Sequence, residues 1–228
     1  MRDKPLLLGH RGRRSREWSA RNLPTENSLA ALEYAIAAGC DGFEFDVRYT
    51  RDGSNVLWHD PDWQGLPLAS SDAAVLTSQN GTRLAVLEDV LKRFSNRAYL
   101  DIELKVLGNE ESVIEALQRT PPQKGFLVSS FYPEILTRLR ALDSALPLGF
   151  IFDRNEATAV WRVLPIRVLL PRHDFLSPAL VDEAHARGLQ IMTWTVNDPA
   201  RMGQLAQWGI DGIISDDPKL LYQTFHSH

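Results

Sequence analysis

Two acidic residues, Glu44 and Asp46, stand two apart in an apolar run, Gly42-Phe43-Glu44-Phe45-Asp46-Val47. In a β-strand that spacing turns both carboxylates to one side and Phe43, Phe45 and Val47 to the other. Neighbouring carboxylates repel and raise each other's pKa unless a cation lies between them. A second run, Leu100-Asp101-Ile102-Glu103-Leu104-Lys105, puts Asp101, Glu103 and Lys105 on one face by the same parity. If the strand register sets Glu103 beside the first pair, three carboxylates surround one point. All-oxygen ligation then suits one hard divalent cation, Mg²⁺ or Ca²⁺. A single acid on a partly solvated strand would simply pair with Arg or Lys; a pair inside so apolar a strand reads as a metal site.

His10 ends the run Leu6-Leu7-Leu8-Gly9, and His59 ends Asn55-Val56-Leu57-Trp58 just before Asp60-Pro61. Imidazole takes and gives protons near neutral pH, so two histidines beside a carboxylate cluster suit the proton transfers of a hydrolysis. Arg11 beside His10 and Lys105 beside Glu103 carry charge suited to phosphoryl oxygens; the bland alternative is that each balances neighbouring acids. Trp194, in Thr193-Trp194-Thr195-Val196-Asn197, is either an apolar wall for a substrate or a core tryptophan. His173 and His185 read as structural, and His226 and His228 as part of a frayed tail.

The elements that must position these residues alternate in kind. Short apolar runs read as parallel strands at Pro5–His10, Gly42–Val47, Tyr99–Lys105, Gly125–Ser130, Leu148–Phe152, Val168–His173, Gln190–Val196 and Gly212–Ser215. Helical signals lie between them. Asn27-Ser28 precedes the stripe Leu29, Leu32 and Ile36, which stops at Gly39. Ser177-Pro178, Asp198-Pro199 and Asp217-Pro218 each place a capping oxygen before a proline at the first helical position. Gly188 and Gly209 stand where two of those helices should end. Between Tyr49 and Asn96 the chain is too long for a simple crossover and reads as a hairpin, a polar loop over Ser70–Arg83 and a helix over Leu87–Phe94.

The expected architecture is α/β, one (β/α)8 TIM barrel over residues 1–228 with a small insertion after the second strand. Its carboxyl strand ends, where the polar residues gather, would form the active face. An open doubly wound sheet is the alternative, but the Gly-rich turn of a dinucleotide-binding version is missing after the first strand. A net charge of −4 and a pI near 5.9 argue against nucleic acid as a partner. One cysteine, Cys40, excludes an intrachain disulfide. The N-terminal apolar run is too short for a signal peptide, and no stretch approaches the ~20 apolar residues of a membrane span. The expectation is therefore a cytoplasmic protein acting on a small molecule, its oligomeric state unspecified.

An ordered set of motifs then becomes visible. His10-Arg11-Gly12, Pro24-Thr25-Glu26-Asn27-Ser28, Asp41 to Val47 with Thr50-Arg51-Asp52-Gly53, and His59-Asp60 come first. Glu103-Leu104-Lys105, Trp194-Thr195-Val196-Asn197 and Asp211 to Asp216 follow. In this order they resemble the glycerophosphodiester phosphodiesterase family over nearly the whole chain. The resemblance implies a TIM barrel, a divalent cation on the positions of Glu44, Asp46 and Glu103, and His10 and His59 as the acid–base pair. It implies Arg11 and Lys105 on the phosphate, and a glycerophosphodiester cut into glycerol 3-phosphate and an alcohol.

Two departures stand out: Thr25 separates Pro24 from Glu26, and the segment from Arg13 to Arg21 is long and basic, with Trp18 inside it. The basic segment should lie beside the active face and attract anionic substrates, or else be a solvated connector. Three other functions compete: lysophospholipase-D-like cleavage of a lysolipid headgroup, an amidohydrolase, and a non-catalytic barrel that binds a phosphometabolite. The second wants a His-x-His pair that His10-Arg11-Gly12 lacks. The third would leave site positions free to decay, yet all of them are present.

Overall fold

The computed structural model describes residues 4–13, 24–76, 83–154 and 159–226. Eight parallel strands close a barrel in the order β1 (Leu6–Gly9), β2 (Gly42–Tyr49), β6 (Tyr99–Leu104), β7 (Phe126–Ser130), β8 (Leu148–Phe152), β9 (Val168–Pro171), β10 (Gln190–Thr193) and β11 (Gly212–Ser215), with β11 pairing back to β1. All eight expected strands are present. Some end earlier than the sequence suggested: β10 stops at Thr193, where Trp194 keeps one isolated bridge to Arg172, and β9 stops at Pro171 before a 3-10 turn at His173–Phe175.

Helices α1 (Leu29–Ala37), α2 (Leu87–Phe94), α3 (Glu110–Arg119), α4 (Pro133–Leu142), α5 (Pro178–Ala186), α6 (Pro199–Gln207) and α7 (Pro218–His226) flank the strands. Between β8 and β9 the described residues carry a 3-10 helix, Val160–Val163, in place of an α-helix. The proline-start caps form as the residues dictate. Ser177 accepts from Leu180 N, Asp198 from Arg201 N, and Asp217 Oδ1 from Lys219 N and Leu220 N. No helix among the described residues is long and apolar enough to cross a membrane.

Strand parity sorts the side chains into two layers. Odd-numbered Phe43, Phe45 and Val47 pack outward with Leu32, Leu91 and Phe94 into the large core between barrel and helices. The barrel interior holds Leu8, Leu127, Ile151, Leu170, Met192 and Ile214. On β2 and β6 the residues of interior parity are charged instead: Glu44 and Asp46, then Asp101 and Glu103, in register as Glu44↔Asp101 and Asp46↔Glu103. The insertion after β2 is a hairpin of β2 with β3 (Asn55–Leu57), a short ribbon of β4 (Asp62–Trp63) and β5 (Leu66–Pro67), and α2. It has its own small core of Val56, Trp63, Leu68 and Leu76.

Candidate functional site

The first strand ends in a turn built for close approach. Gly12 has φ +73°, and a β-carbon there would come within 2.5 Å of the α1 backbone at Ala31 and Leu32, so the position requires glycine. The turn directs the Arg11 amide at Glu44, Arg11 N donating to Oε2 at 2.9 Å. It also sends the Arg11 side chain between two acids, Nε lying 3.0 Å from Asp46 Oδ2 and Nη1 donating to Glu26 Oε1 at 2.7 Å. Asp46 is fully buried and held from both sides of its residue. Asn27 Nδ2 donates to Oδ2 at 2.7 Å, while Asp46 N donates to Asn27 Oδ1 at 3.1 Å. Lys105 Nζ bridges Asp46 Oδ1, at 2.9 Å, and Glu103 Oε1.

Four acids therefore share a buried space with two cations. Burial would raise the Asp46 carboxyl, but Lys105 and Arg11 overcome it and hold it below the usual carboxylate range. Burial, reinforced by Asp46 and Glu103, pushes Glu44 well above that range. Burial lifts Asp101 to about 7 against a hydrogen bond from Ser129, and Glu103 to about 7 against Lys105. Carboxyl groups outnumber the cationic side chains, and Glu44 Oε1 and Asp101 Oδ2 are buried without hydrogen-bond partners. One oxygen each from Glu44, Asp46 and Glu103 can be chosen so that all three lie within 4.8 Å of one another. Such an oxygen cluster fits a hard divalent cation.

The two histidines flank this cluster. His10 Nδ1 lies 2.6 Å from Asp216 Oδ1, and its Nε2 lies 3.8 Å from Glu44 Oε2. Asp216 is itself held by Asn197, whose Nδ2 donates to Oδ2 at 2.7 Å and whose Oδ1 accepts from Asp216 N at 2.9 Å. His59 Nδ1 lies 2.8 Å from Asp60 Oδ1, and burial lowers its pKa. A carboxylate offers acceptors alone, so Nδ1 carries the proton in each pair and Nε2 is the nitrogen left for chemistry.

All of the candidates drawn from the sequence except the fully buried Asp46 line one cavity of about 230 Å³. Its lining combines the charged or titratable His10, Arg11, Glu44, His59, Asp101, Glu103, Lys105 and Asp153 with the apolar Phe131, Ile151, Leu170, Trp194 and Ile214. Trp194 meets Phe131 edge-to-face at 5.4 Å and spends its indole N–H on Leu170 O at 3.0 Å, which leaves its ring as an apolar wall. That volume is below the ~300–1,000 Å³ of pockets for drug-sized ligands, so it suits a small polar substrate.

Sequence reasoning passed over Asp216, Asn197, Asn27 and Glu26 as individual side chains, although all four lie in the quoted motifs. Their partners are distant in the chain, and composition carries no signal for that. His185 is structural, 3.0 Å from Asp211 Oδ2, a carboxylate that also accepts from Ile191 N. Of the basic segment, Arg13 lies over the Tyr34 ring at 5.1 Å; residues 14–23 are outside the described residues.

The glycerophosphoryl diester phosphodiesterase family matches residues 10–220. The chain belongs to that family. A glycerophosphodiester phosphodiesterase of Caldanaerobacter subterraneus is 28% identical, covering 96% of both chains. The crystal structure of a glycerophosphodiester phosphodiesterase from Parabacteroides distasonis superposes with a TM-score of 0.84 at 25% identity, covering 100% of this chain and 99% of that one. A phosphodiesterase of Oleispira antarctica, solved with the product sn-glycerol-3-phosphate, superposes with a TM-score of 0.83 at 24% identity over 98% of both chains. This protein is a phosphoric diester hydrolase of glycerophosphodiesters.

Proposed function

We propose that the enzyme hydrolyses glycerophosphodiesters to sn-glycerol 3-phosphate and an alcohol in a reaction that depends on one divalent cation, Mg²⁺ or Ca²⁺. The observation that carries this reading is the cluster of Glu44, Asp46 and Glu103 oxygens within 4.8 Å, set between two histidines and two cationic side chains. Glu44, Asp46 and Glu103 would hold the ion, whose chemistry is to neutralise and orient the phosphate.

The chain's own residues supply the rest. His10 and His59 are the proton-transfer pair: one takes a proton from the attacking oxygen and the other gives one to the leaving oxygen. Asp216 keeps the His10 ring in one tautomer with Nε2 toward the cavity. Arg11 and Lys105 stabilise charge on the phosphoryl oxygens, each held in place by acids already paired with it. Trp194 with Phe131 covers the carbon arm of the substrate and excludes water from that side.

The test is a panel of glycerophosphodiesters and lysophospholipids, incubated with chelated enzyme and with added Mg²⁺ or Ca²⁺. Cation-dependent release of glycerol 3-phosphate is expected. Equal turnover after complete chelation would refute the metal dependence, and cleavage of lysolipids alone would replace the substrate class.

A further inference from the structure

Arg48 belongs to none of the functional positions described so far. It lies on β2 with the parity of Glu44 and Asp46, one step further toward the active face, and stands opposite Val56 in the hairpin. The side chain is half-buried and its Nε donates to the carbonyl of His59 at 2.8 Å. Its charge lies within electrostatic reach of Asp46, Asp60, Tyr132 and Glu103.

That bond has a specific consequence for His59. The histidine does not ride on a barrel strand. β3 ends at Leu57, the next backbone tie is Trp58 N to Asp46 O at 3.2 Å, and the imidazole's own carboxylate partner, Asp60, is exposed. Beyond Trp58, the Arg48 Nε–H joins the His59 backbone to the strand that carries Glu44 and Asp46. The planar guanidinium gives that N–H a direction as well as a distance. Displacing a reacting group by about 1 Å costs up to about 10²-fold in rate, so a bond of this kind has kinetic weight.

We propose that Arg48 is a positioning residue for His59, tying the histidine on the insertion to the barrel strand that bears the acidic cluster. The inference rests on the proton-transfer role given to His59 above. In Arg48→Ala, kcat for glycerophosphocholine should fall on the order of tenfold with KM nearly unchanged. In the double variant with His59→Ala, Arg48→Ala should cost nothing further, because the group it positions is gone. Arg48→Lys keeps the charge but loses the directed Nε–H, so it should stay impaired. The His59 imidazole signal in NMR, assigned by its loss in His59→Ala, should shift in Arg48→Ala while that of His10 does not.

A raised KM at normal kcat, a multiplicative loss in the double variant, or full rescue by lysine would each overturn the positioning role. Normal turnover in His59→Ala would overturn the role of His59 and, with it, this function of Arg48. An imidazole signal unmoved by Arg48→Ala would overturn the tie alone.

Discussion

His10 and His59 present the same local motif in opposite settings. Each has Nδ1 within 2.8 Å of an aspartate. The His10 side chain is 9% exposed and that of Asp216 16%, against 40% for His59 and 62% for Asp60. His10 and Asp216 directly follow Gly9 and Ser215, which are paired where β1 meets β11, so closure of the barrel itself brings them together. Asp60 is merely the next residue after His59, on an insertion outside the barrel. The partner supplied by closure is the less exposed of the two aspartates and is oriented by Asn197. A partner supplied by the adjacent residue competes with water. The two pairs thus share geometry but not shielding, and on the more exposed side the His59 carbonyl accepts a bond from Arg48 Nε.

The largest effects should fall on both sides alike. Chelation should abolish turnover and added Mg²⁺ or Ca²⁺ should restore it, as read by glycerol 3-phosphate release. His10→Ala and His59→Ala should each lose about 10²-fold or more in kcat while remaining folded by circular dichroism. Near-normal turnover in either variant would break the pairing of the two rings.

The next effect should separate them. Asp216→Asn leaves the shape but reverses the hydrogen-bond preference at His10 Nδ1, and should cost on the order of 10–100-fold in kcat, as changes to groups that orient a ligand or base do. Asp60→Asn should cost no more than about threefold, because an exposed ion pair contributes little. Equal losses in the two variants would mean that the two aspartates have equal weight.

The smallest effect is on stability. Folding raises Glu103 and Asp101 to about 7 from an unfolded value of about 4, so the folded chain binds more protons between those values. Stability from these groups is fully present below about 4 and is lost as pH rises through about 7. Asp46, held low, acts in the opposite sense: its contribution is present above the unfolded value and lost as pH falls through its lower folded value. Metal-free enzyme should therefore lose Tm between roughly pH 5 and 8, by about 2–4 °C for each kcal/mol in a domain of this size. A divalent cation should raise Tm more at pH 8 than at pH 5. A flat metal-free profile would mean that the acids are compensated without the ion.

Much of this arrangement was legible. The strands are short apolar runs bounded by Gly, Pro or Asp, and the caps at Ser177, Asp198 and Asp217 are side chains acting within three residues. The insertion announced itself by length and by the Asp52-Gly53 turn. The pairing of Glu103 with Asp46 was conditional on a register that parity alone cannot supply. The burial of Arg11 among Glu26, Glu44 and Asp46, the link from Asn27 to Asp46, and the bond from Arg48 to His59 were invisible as contacts. Each joins residues on different elements, and no local periodicity encodes a meeting across a barrel.

The amino-acid sequence by itself determined which residues face together along each strand, where helices begin and stop, and which residue types were available for phosphodiester chemistry. These follow from backbone geometry and from hydrogen bonds a few residues long. Tertiary structure alone decided that β11 closes on β1 and sets Asp216 against His10, and that β2 and β6 align their acids at one buried point where burial raises the pKa values of Glu44, Asp101 and Glu103. Closure and register depend on packing side chains from the whole barrel at once, and the pKa values depend on the burial that packing creates.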